Sequence, residues 1–292
     1  MVAVALVTAV LNLDTSVVFM TPVALYAARA KGTDEKAFLY GTIFMSNSAS
    51  LLLLGSNLTN LLVFSRSSTL GSTFAQRMVL PWMAAVVVTI TVVLVWRWRP
   101  LRQAASTVER STTSFIVGPG VFAVAFAVVA MLFLKSPATW VFLVGVATVL
   151  YEIALKKRIA LRDALTVTNP WTLVLLFGVA IAVGWFARFS TLTTSLLRHA
   201  NVAATIVTSA IASLVINNLP AASFFAAHGV AHPYAMLLGL DLGPNVLVTG
   251  ALSSLLWIRI ARRNDARPSV LTFSVVGTVV ASVAIVCSAL LL

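Results

Sequence analysis

Whatever acid–base chemistry this chain can do away from water falls to two carboxyl groups. Six of its eight acidic residues, Asp34, Glu35, Glu109, Glu152, Asp163 and Asp265, stand in turns or at the ends of apolar runs; only Asp14 and Asp241 lie inside such runs. An aspartate at the centre of a bilayer costs roughly 2.5–3.5 kcal/mol on insertion scales, so it normally faces a polar cavity. There it exchanges a proton near neutral pH or, when ionised, holds a cation. The plainer alternative for each is a helix cap at a broken segment.

Carboxamides and hydroxyls accompany both carboxyls. Asn57, Thr59 and Asn60 sit in one apolar stretch, Asn217-Asn218 in another, Thr15 follows Asp14, and Gly250 and Ser253 follow Asp241. These groups both donate and accept hydrogen bonds. They suit a neutral polyhydroxylated solute or an oxyanion, or alternatively they satisfy backbone groups freed where helices break. The expected substrate- and ion-binding set is therefore Asp14, Thr15, Asn57, Thr59, Asn60, Asn217, Asn218, Asp241, Gly250 and Ser253, with Asp14 and Asp241 as proton-coupling residues.

Other chemistry finds little support. His228 and His232 have the spacing of two ligands on one helix face, but no acidic partner is near and Pro233 follows. There is no Gly-x-Ser-x-Gly elbow and no phosphate-binding loop, so neither an enzyme nor a cofactor is expected. The single cysteine, Cys287, excludes a disulfide framework and reads as packing. Asn57-Leu58-Thr59 matches the glycosylation sequon, at a depth where that match is spurious.

The elements that must position these residues repeat within the chain. Asn47 to Val63, NSASLLLLGSNLTNLLV, lies without a gap on Asp241 to Trp257, DLGPNVLVTGALSSLLW. Both have a polar start, an aliphatic run, a small-polar break and a hydroxyl-rich restart, and both read as interrupted helices. Each is preceded by an apolar segment with a polar centre, Asn12-Leu13-Asp14-Thr15-Ser16 in residues 1–28 and Asn217-Asn218-Leu219-Pro220 in 202–231. The arms flanking these centres are too short to span about 30 Å of hydrocarbon, which predicts re-entrant hairpins. Interrupted segments in corresponding positions of two halves point to the binding site of a secondary transporter.

With 60% hydrophobic and 10% charged residues and a mean hydropathy of +1.01, a soluble globular domain is excluded. The net charge of +12 would suggest nucleic acid in a soluble chain, but these basic residues sit in short clusters between apolar runs and set topology instead. Plain spans are expected at 78–96, 115–134, 138–155, 171–187 and 270–292, interrupted spans at 37–64 and 234–260, and loops at 65–77 and 97–114. If the hairpins return to their own side, the loops at 29–36, 97–110, 156–162 and 259–267 share one face and carry 15 of the 20 Lys and Arg. The other face keeps Arg66, Arg77, Lys135, Arg188 and Arg198, so the basic loops are expected in the cytoplasm and the protein in the cytoplasmic membrane. The hairpins then open to opposite sides, an inverted repeat.

The fold class expected is an all-α polytopic membrane protein, with first-repeat transport elements in 1–98, a linker and scaffold spans in 99–200 and second-repeat transport elements in 201–292. Three plain spans precede the second hairpin, so symmetry predicts about 90 further residues ahead of the first. A misplaced start, a fragment or a partner that supplies the scaffold would each account for them. The opening MVAVALVTAV has neither a basic region nor a cleavage site, and no signal peptide is expected.

The chain resembles the arsenical pump membrane proteins, arsenite and antimonite efflux permeases of the ion-transporter superfamily that also includes citrate and divalent-anion carriers. The resemblance rests on Leu13-Asp14 through Met20-Thr21-Pro22, Ser46 through Asn60, Asn217-Asn218-Leu219-Pro220, and Asp241-Leu242-Gly243-Pro244 with Gly250 through Trp257. Two departures stand out. The family's Asn-Asp-Gly tip is Leu13-Asp14-Thr15 here, with Asn12 displaced by one, and its Gly-Ser-Leu-Ala-Thr pattern is Gly250-Ala251-Leu252-Ser253-Ser254.

The resemblance implies elevator-like export of arsenite or antimonite in exchange for protons. Its implied partners are the lipid bilayer, a cytoplasmic arsenite ATPase on the basic face and a second copy in a homodimer. Two alternatives stay open: a sodium- or proton-coupled carrier of citrate, dicarboxylates or inorganic anions, and a truncated, non-transporting membrane subunit.

Overall fold

The computed structural model describes residues 1–104, 119–134, 137–151, 153–154, 170–189, 200–227 and 230–292. All regular structure among them is helical. The first half contains α1 (Val2–Leu11), α2 (Leu13–Ala30), α3 (Glu35–Ala49), a 3-10 turn (Leu54–Ser56), α4 (Leu58–Val63), α5 (Gly71–Trp96) and α6 (Trp98–Ala104). Helices α7 (Pro119–Phe133), α8 (Pro137–Tyr151) and α9 (Pro170–Phe189) follow. The second half contains α10 (Val202–Ile216), α11 (Asn218–Ala226), α12 (Pro233–Leu242), 3-10 turns at Gly243–Asn245 and Val248–Gly250, α13 (Leu252–Arg263) and α14 (Val270–Ala289).

The breaks fall where polar residues interrupt the apolar runs. Helices α1 and α2 meet at Asn12 and α10 and α11 at Asn217, both at positive φ. The interrupted helices open at matched points: Leu53 (φ −119°, ψ 155°) corresponds to Leu247 (φ −129°, ψ 137°), and Asn57 (φ −148°, ψ 143°) to Ala251 (φ −142°, ψ 150°). The extended residue at each break releases helix carbonyls and amides that side chains must then satisfy.

Packing follows the same pairing. Helix α1 packs on α3 as α10 packs on α12, α2 meets α13 as α11 meets α4, and α5 and α14 pack on each other behind the interrupted helices. Small residues permit the closest approaches. A Cβ on Gly239 would overlap Ser209 Oγ and the Ile206 carbonyl, and one on Gly277 would overlap the Asn245 carbonyl. Those glycines bring α10 and α14 against the backbone that carries Asp241 and Asn245.

An aromatic cluster of Tyr40, Phe44, Trp257 and Phe273 locks α3, α13 and α14 together. The fully buried Trp257 donates Nε1–H to the Leu39 carbonyl at 3.0 Å. The Tyr40 hydroxyl donates to the Ser269 carbonyl at 3.1 Å. Nearby, Asp34 caps α3 and is gripped by Arg97 at the end of α5, Nε to Oδ2 at 2.5 Å and Nη2 to Oδ1 at 2.8 Å.

Two helices among the described residues, Gly71–Trp96 and Val270–Ala289, are long and apolar enough to cross a membrane. Two expectations need correction. The polar loop expected at 65–77 ends early, because Gly71 already opens α5, and residues 98–104, expected as loop, form the short α6. Tryptophans and arginines on both sides of Arg97 suit an interfacial helix better than an open loop. The expected features Glu109, Arg110, Lys135, Glu152, Lys156, Lys157, Arg158, Arg162, Asp163, Arg198 and His228 lie outside the described residues, as do residues 115–118 of one expected span.

Candidate functional site

The two hairpin tips are built alike. Asn12 (φ 107°, ψ 152°) and Asn217 (φ 74°, ψ 151°) occupy a region of backbone space that is essentially reserved for glycine. Their side chains hold them there. Asn12 Oδ1 accepts the Asp14 N–H at 2.9 Å and its Nδ2 donates to the Gly55 carbonyl at 3.4 Å. Asn217 Oδ1 accepts the Leu219 N–H at 3.3 Å and its Nδ2 donates to the Thr249 carbonyl at 3.0 Å. Each tip is thus tied to the 3-10 turn of its own interrupted helix.

Between the tips lies a small cavity of about 20 Å³, bounded by Leu13 and Asp14, by Asn57 and Leu58, by Asn218 and Leu219, and by Ala251, Leu252 and Ser253. It is the meeting point of both tips and both breaks, and it has room for about one water. No lining residue is basic. Asp14 and Asn218, the latter only 5% exposed, line it with no side-chain hydrogen-bond partner among the described residues. One tip therefore offers a carboxyl and the other a carboxamide.

Behind the cavity is a connected polar cluster. Asp241, 1% exposed, accepts at Oδ1 from Asn57 Nδ2 at 3.0 Å and from Thr59 Oγ1 at 2.5 Å. Asn57 also donates to Ser50 Oγ at 3.2 Å, and Ser50 donates to the Asn47 carbonyl at 2.8 Å. Asn47 Nδ2 donates to Asn245 Oδ1 at 2.8 Å, and Ser253 Oγ donates to Asn47 Oδ1 at 3.4 Å. Four of these six bonds join residues 182 to 206 positions apart, so the cluster is complete only when the two halves pack.

Among the described residues, four buried side-chain polar atoms keep no hydrogen-bond partner: Asn60 Oδ1, Asp241 Oδ2, Asn245 Nδ2 and Ser254 Oγ. Each such vacancy costs about 1–3 kcal/mol. All four lie on the interrupted helices, and Asn60 and Ser254 occupy equivalent positions in the two copies.

Most of the expected residues converge here, with differing roles. Asp14, Asn57, Asn218 and Ser253 line the cavity, and Thr59 and Asp241 form the strongest link of the cluster behind it. Asn60 donates to the carbonyls of Ser50 and Leu53 at 2.9 and 3.0 Å, capping carbonyls that the break in α3 exposes. Asn217 uses its side chain to fix the tip, Gly250 packs tightly against Pro244 Cα, and Thr15 stands half-buried in the first turn of α2, outside the lining. His232 precedes the first turn of α12, and its expected partner His228 lies outside the described residues.

A family model described as "Citrate transporter" (CitMHS) matches residues 1–250. The chain belongs to the CitMHS citrate transporter family. Proteins named "Arsenical pump membrane protein" from Escherichia coli K12 and Shigella flexneri are 26% identical to it over 284 residues, covering 86% of this chain. One of that name from Yersinia enterocolitica is 26% identical over 285 residues. The chain spans 66% of the length of these curated relatives. No solved structure matches it.

The polar cluster also contains Asn47, Ser50 and Asn245, which are not in the expected binding set. Asn47 was in view, as the residue aligned with Asp241. Its pairing with Asn245 and Ser253 had no local signal, because neither partner is a neighbour in sequence.

Proposed function

We propose that the chain carries the transport machinery of an exporter of arsenite or antimonite, exchanging the neutral trihydroxide for protons. The observation that carries this reading is the charge character of the centre: two carboxyls, Asp14 and Asp241, with no basic group in the cavity lining or the cluster behind it. A multiply charged anion would meet like charge there. A neutral polyhydroxylated solute instead finds donors and acceptors in Asn57, Asn218, Ser253 and Asp14, while a carboxyl at this depth takes up and releases the counter-ion. The names of the curated relatives agree with this substrate.

In this reading Asp241 is the principal proton carrier and Asp14 the cavity-side carboxyl. The matched hairpins and interrupted helices form an inverted repeat that moves as a body against the scaffold helices, with the basic loops in the cytoplasm. The cavity, sized for about one water, opens for cargo by displacement of the hairpin tips. The basic face supplies the docking surface for a cytoplasmic ATPase, and the protein sits in the cytoplasmic membrane, paired in a homodimer.

A second reading, a proton- or sodium-coupled carrier of citrate or another anion, is favoured by the description of the family model. Proteoliposomes holding the full-length protein separate the two. Arsenite flux driven by a pH gradient, absent for citrate, supports export of the neutral trihydroxide; citrate flux driven by sodium or protons, absent for arsenite, supports the rival. Neither flux from correctly inserted protein supports a subunit that does not transport by itself.

A further inference from the structure

The two interrupted helices hold each other by a crossed pair of contacts. Thr59 and Ser253 occupy equivalent positions just after the breaks, and Asn47 and Asp241 equivalent positions before them. Thr59 Oγ1 of the first copy donates to Asp241 of the second at 2.5 Å, and Ser253 Oγ of the second donates to Asn47 of the first at 3.4 Å. The backbone angles at the two breaks agree closely, so the two contacts join corresponding positions, one short and one near the limit of a hydrogen bond. One ends on a carboxyl and the other on a carboxamide.

Both acceptors are fully withdrawn from water, Asn47 at 0% and Asp241 at 1% exposure. Their hydrogen bonding differs. Both polar atoms of Asn47 are engaged, with Asn245 and Ser253, whereas Asp241 keeps one oxygen unpartnered. The helices packed on α12, namely α3, α4, α10, α11 and α14, bring serine, threonine and asparagine to this cluster. Their ionisable residues among those described are Glu35, Lys36 and Tyr40 in the opening turns of α3 and Cys287 near the end of α14; Tyr234 opens α12 itself. Asp14, across the cavity, is the other carboxyl of the centre.

We propose that Asn47 sets the number of ions exchanged per cargo: standing at the counterpart of Asp241, its carboxamide leaves the crossed pair with one exchangeable proton where the geometry repeats the position twice. This rests on the reading of Asp241 as an ion-exchanging group. Asn47 is here a stoichiometry-determining residue, and it acts without touching the cavity.

The test compares the full-length protein with Asn47→Asp, Asp241→Asn and the exchanged variant carrying both substitutions. Infrared titration of the protonated carboxyl band needs no cargo. Asn47→Asp is expected to add one titrating buried carboxyl, Asp241→Asn to remove one, and the exchanged variant to match the unmodified protein. In proteoliposomes the proton-to-arsenite ratio is expected to rise by one in Asn47→Asp. The exchanged variant is expected to recover at least tenfold of the gradient-driven exchange lost in Asp241→Asn. Asn47→Ser, which keeps a neutral group facing Ser253, slows exchange and leaves the ratio unchanged.

An exchanged variant that folds, shows its transplanted carboxyl titrating and still exchanges no better than Asp241→Asn overturns the proposal. A shifted ratio in Asn47→Ser overturns it too. If the unmodified protein moves no arsenite, the cargo assignment fails, while the infrared count still decides whether positions 47 and 241 are interchangeable.

Discussion

The hairpin tips give the sharpest energetic prediction, because one residue at each does two separable jobs. Asn12 (φ 107°) and Asn217 (φ 74°) both combine positive φ with ψ near 150°, where a side-chain-bearing residue carries roughly 1–3 kcal/mol of strain. The asparagine offsets this through its carboxamide, which caps the following helix and reaches the neighbouring 3-10 turn. Alanine at position 217 keeps the strain and loses both bonds. The cap contributes about 0.5–2 kcal/mol and the bond to Thr249 about 0.5–1.5 kcal/mol, so Asn217→Ala is expected to destabilise by about 1–3.5 kcal/mol. Glycine also loses both bonds but relieves the strain, so Asn217→Gly should be more stable than Asn217→Ala by about 1–3 kcal/mol. Thermal unfolding of the purified protein in detergent, followed by tryptophan fluorescence, measures the difference, and Asn12→Ala against Asn12→Gly repeats it at the other tip. If the alanine and glycine variants melt together at both positions, the tips do not hold this conformation and the matched-hairpin geometry is refuted.

Asp241→Asn preserves an acceptor for Asn57 and Thr59, so the protein is expected to fold with a loss of about 1–3 kcal/mol while proton-driven exchange disappears; retained gradient-dependent flux in vesicles would remove Asp241 as the coupling group. Gly239→Ala forces a Cβ into Ser209 and the Ile206 carbonyl, and is expected to lower the melting temperature more than Gly145→Ala, whose added Cβ meets nothing. For Asp34, burial acts to raise the carboxyl's pKa, but the hydrogen bonds and charge of Arg97, with the N–H groups of Ala37 and Lys36, outweigh it and hold the carboxyl below its usual value. A depressed folded-state value means that this stabilisation is present above the ordinary carboxylate range and is lost as pH falls through the folded value. Arg97→Gln should therefore destabilise by about 1.5–3 kcal/mol near neutral pH, with the difference from the unmodified protein shrinking as pH falls through the lowered folded-state value; a difference that stays constant from neutral pH down to acid unfolding would show that the pair does not carry it.

Local interruptions were legible because they are written in single residues. A carboxamide or small polar group in the middle of an aliphatic run often marks a break, and Asn12, Asn217 and the Gly55-Ser56-Asn57 stretch are all found at breaks. The internal match also carried the correspondence of Asn47 with Asp241. Partner choice was not legible. Nothing near Asp241 in sequence says that its carboxylate is held by Asn57 and Thr59, and nothing near Asn47 says that it faces Asn245. Such pairings depend on how close two helices approach, which the glycines at 239 and 277 decide through backbone contacts. Site membership was read from residue type alone, so Asn217, which holds a tip, and Gly250, which packs on a turn, were expected as binding groups beside residues that line the cavity.

The most direct measurement is arsenite accumulation by energised everted membrane vesicles containing the longest reading frame, with and without a protonophore, compared with Asp241→Asn. Accumulation that the protonophore abolishes and that the substitution removes is the predicted result. Accumulation that survives both, or citrate uptake in its place, would contradict proton-coupled export of the trihydroxide through this centre.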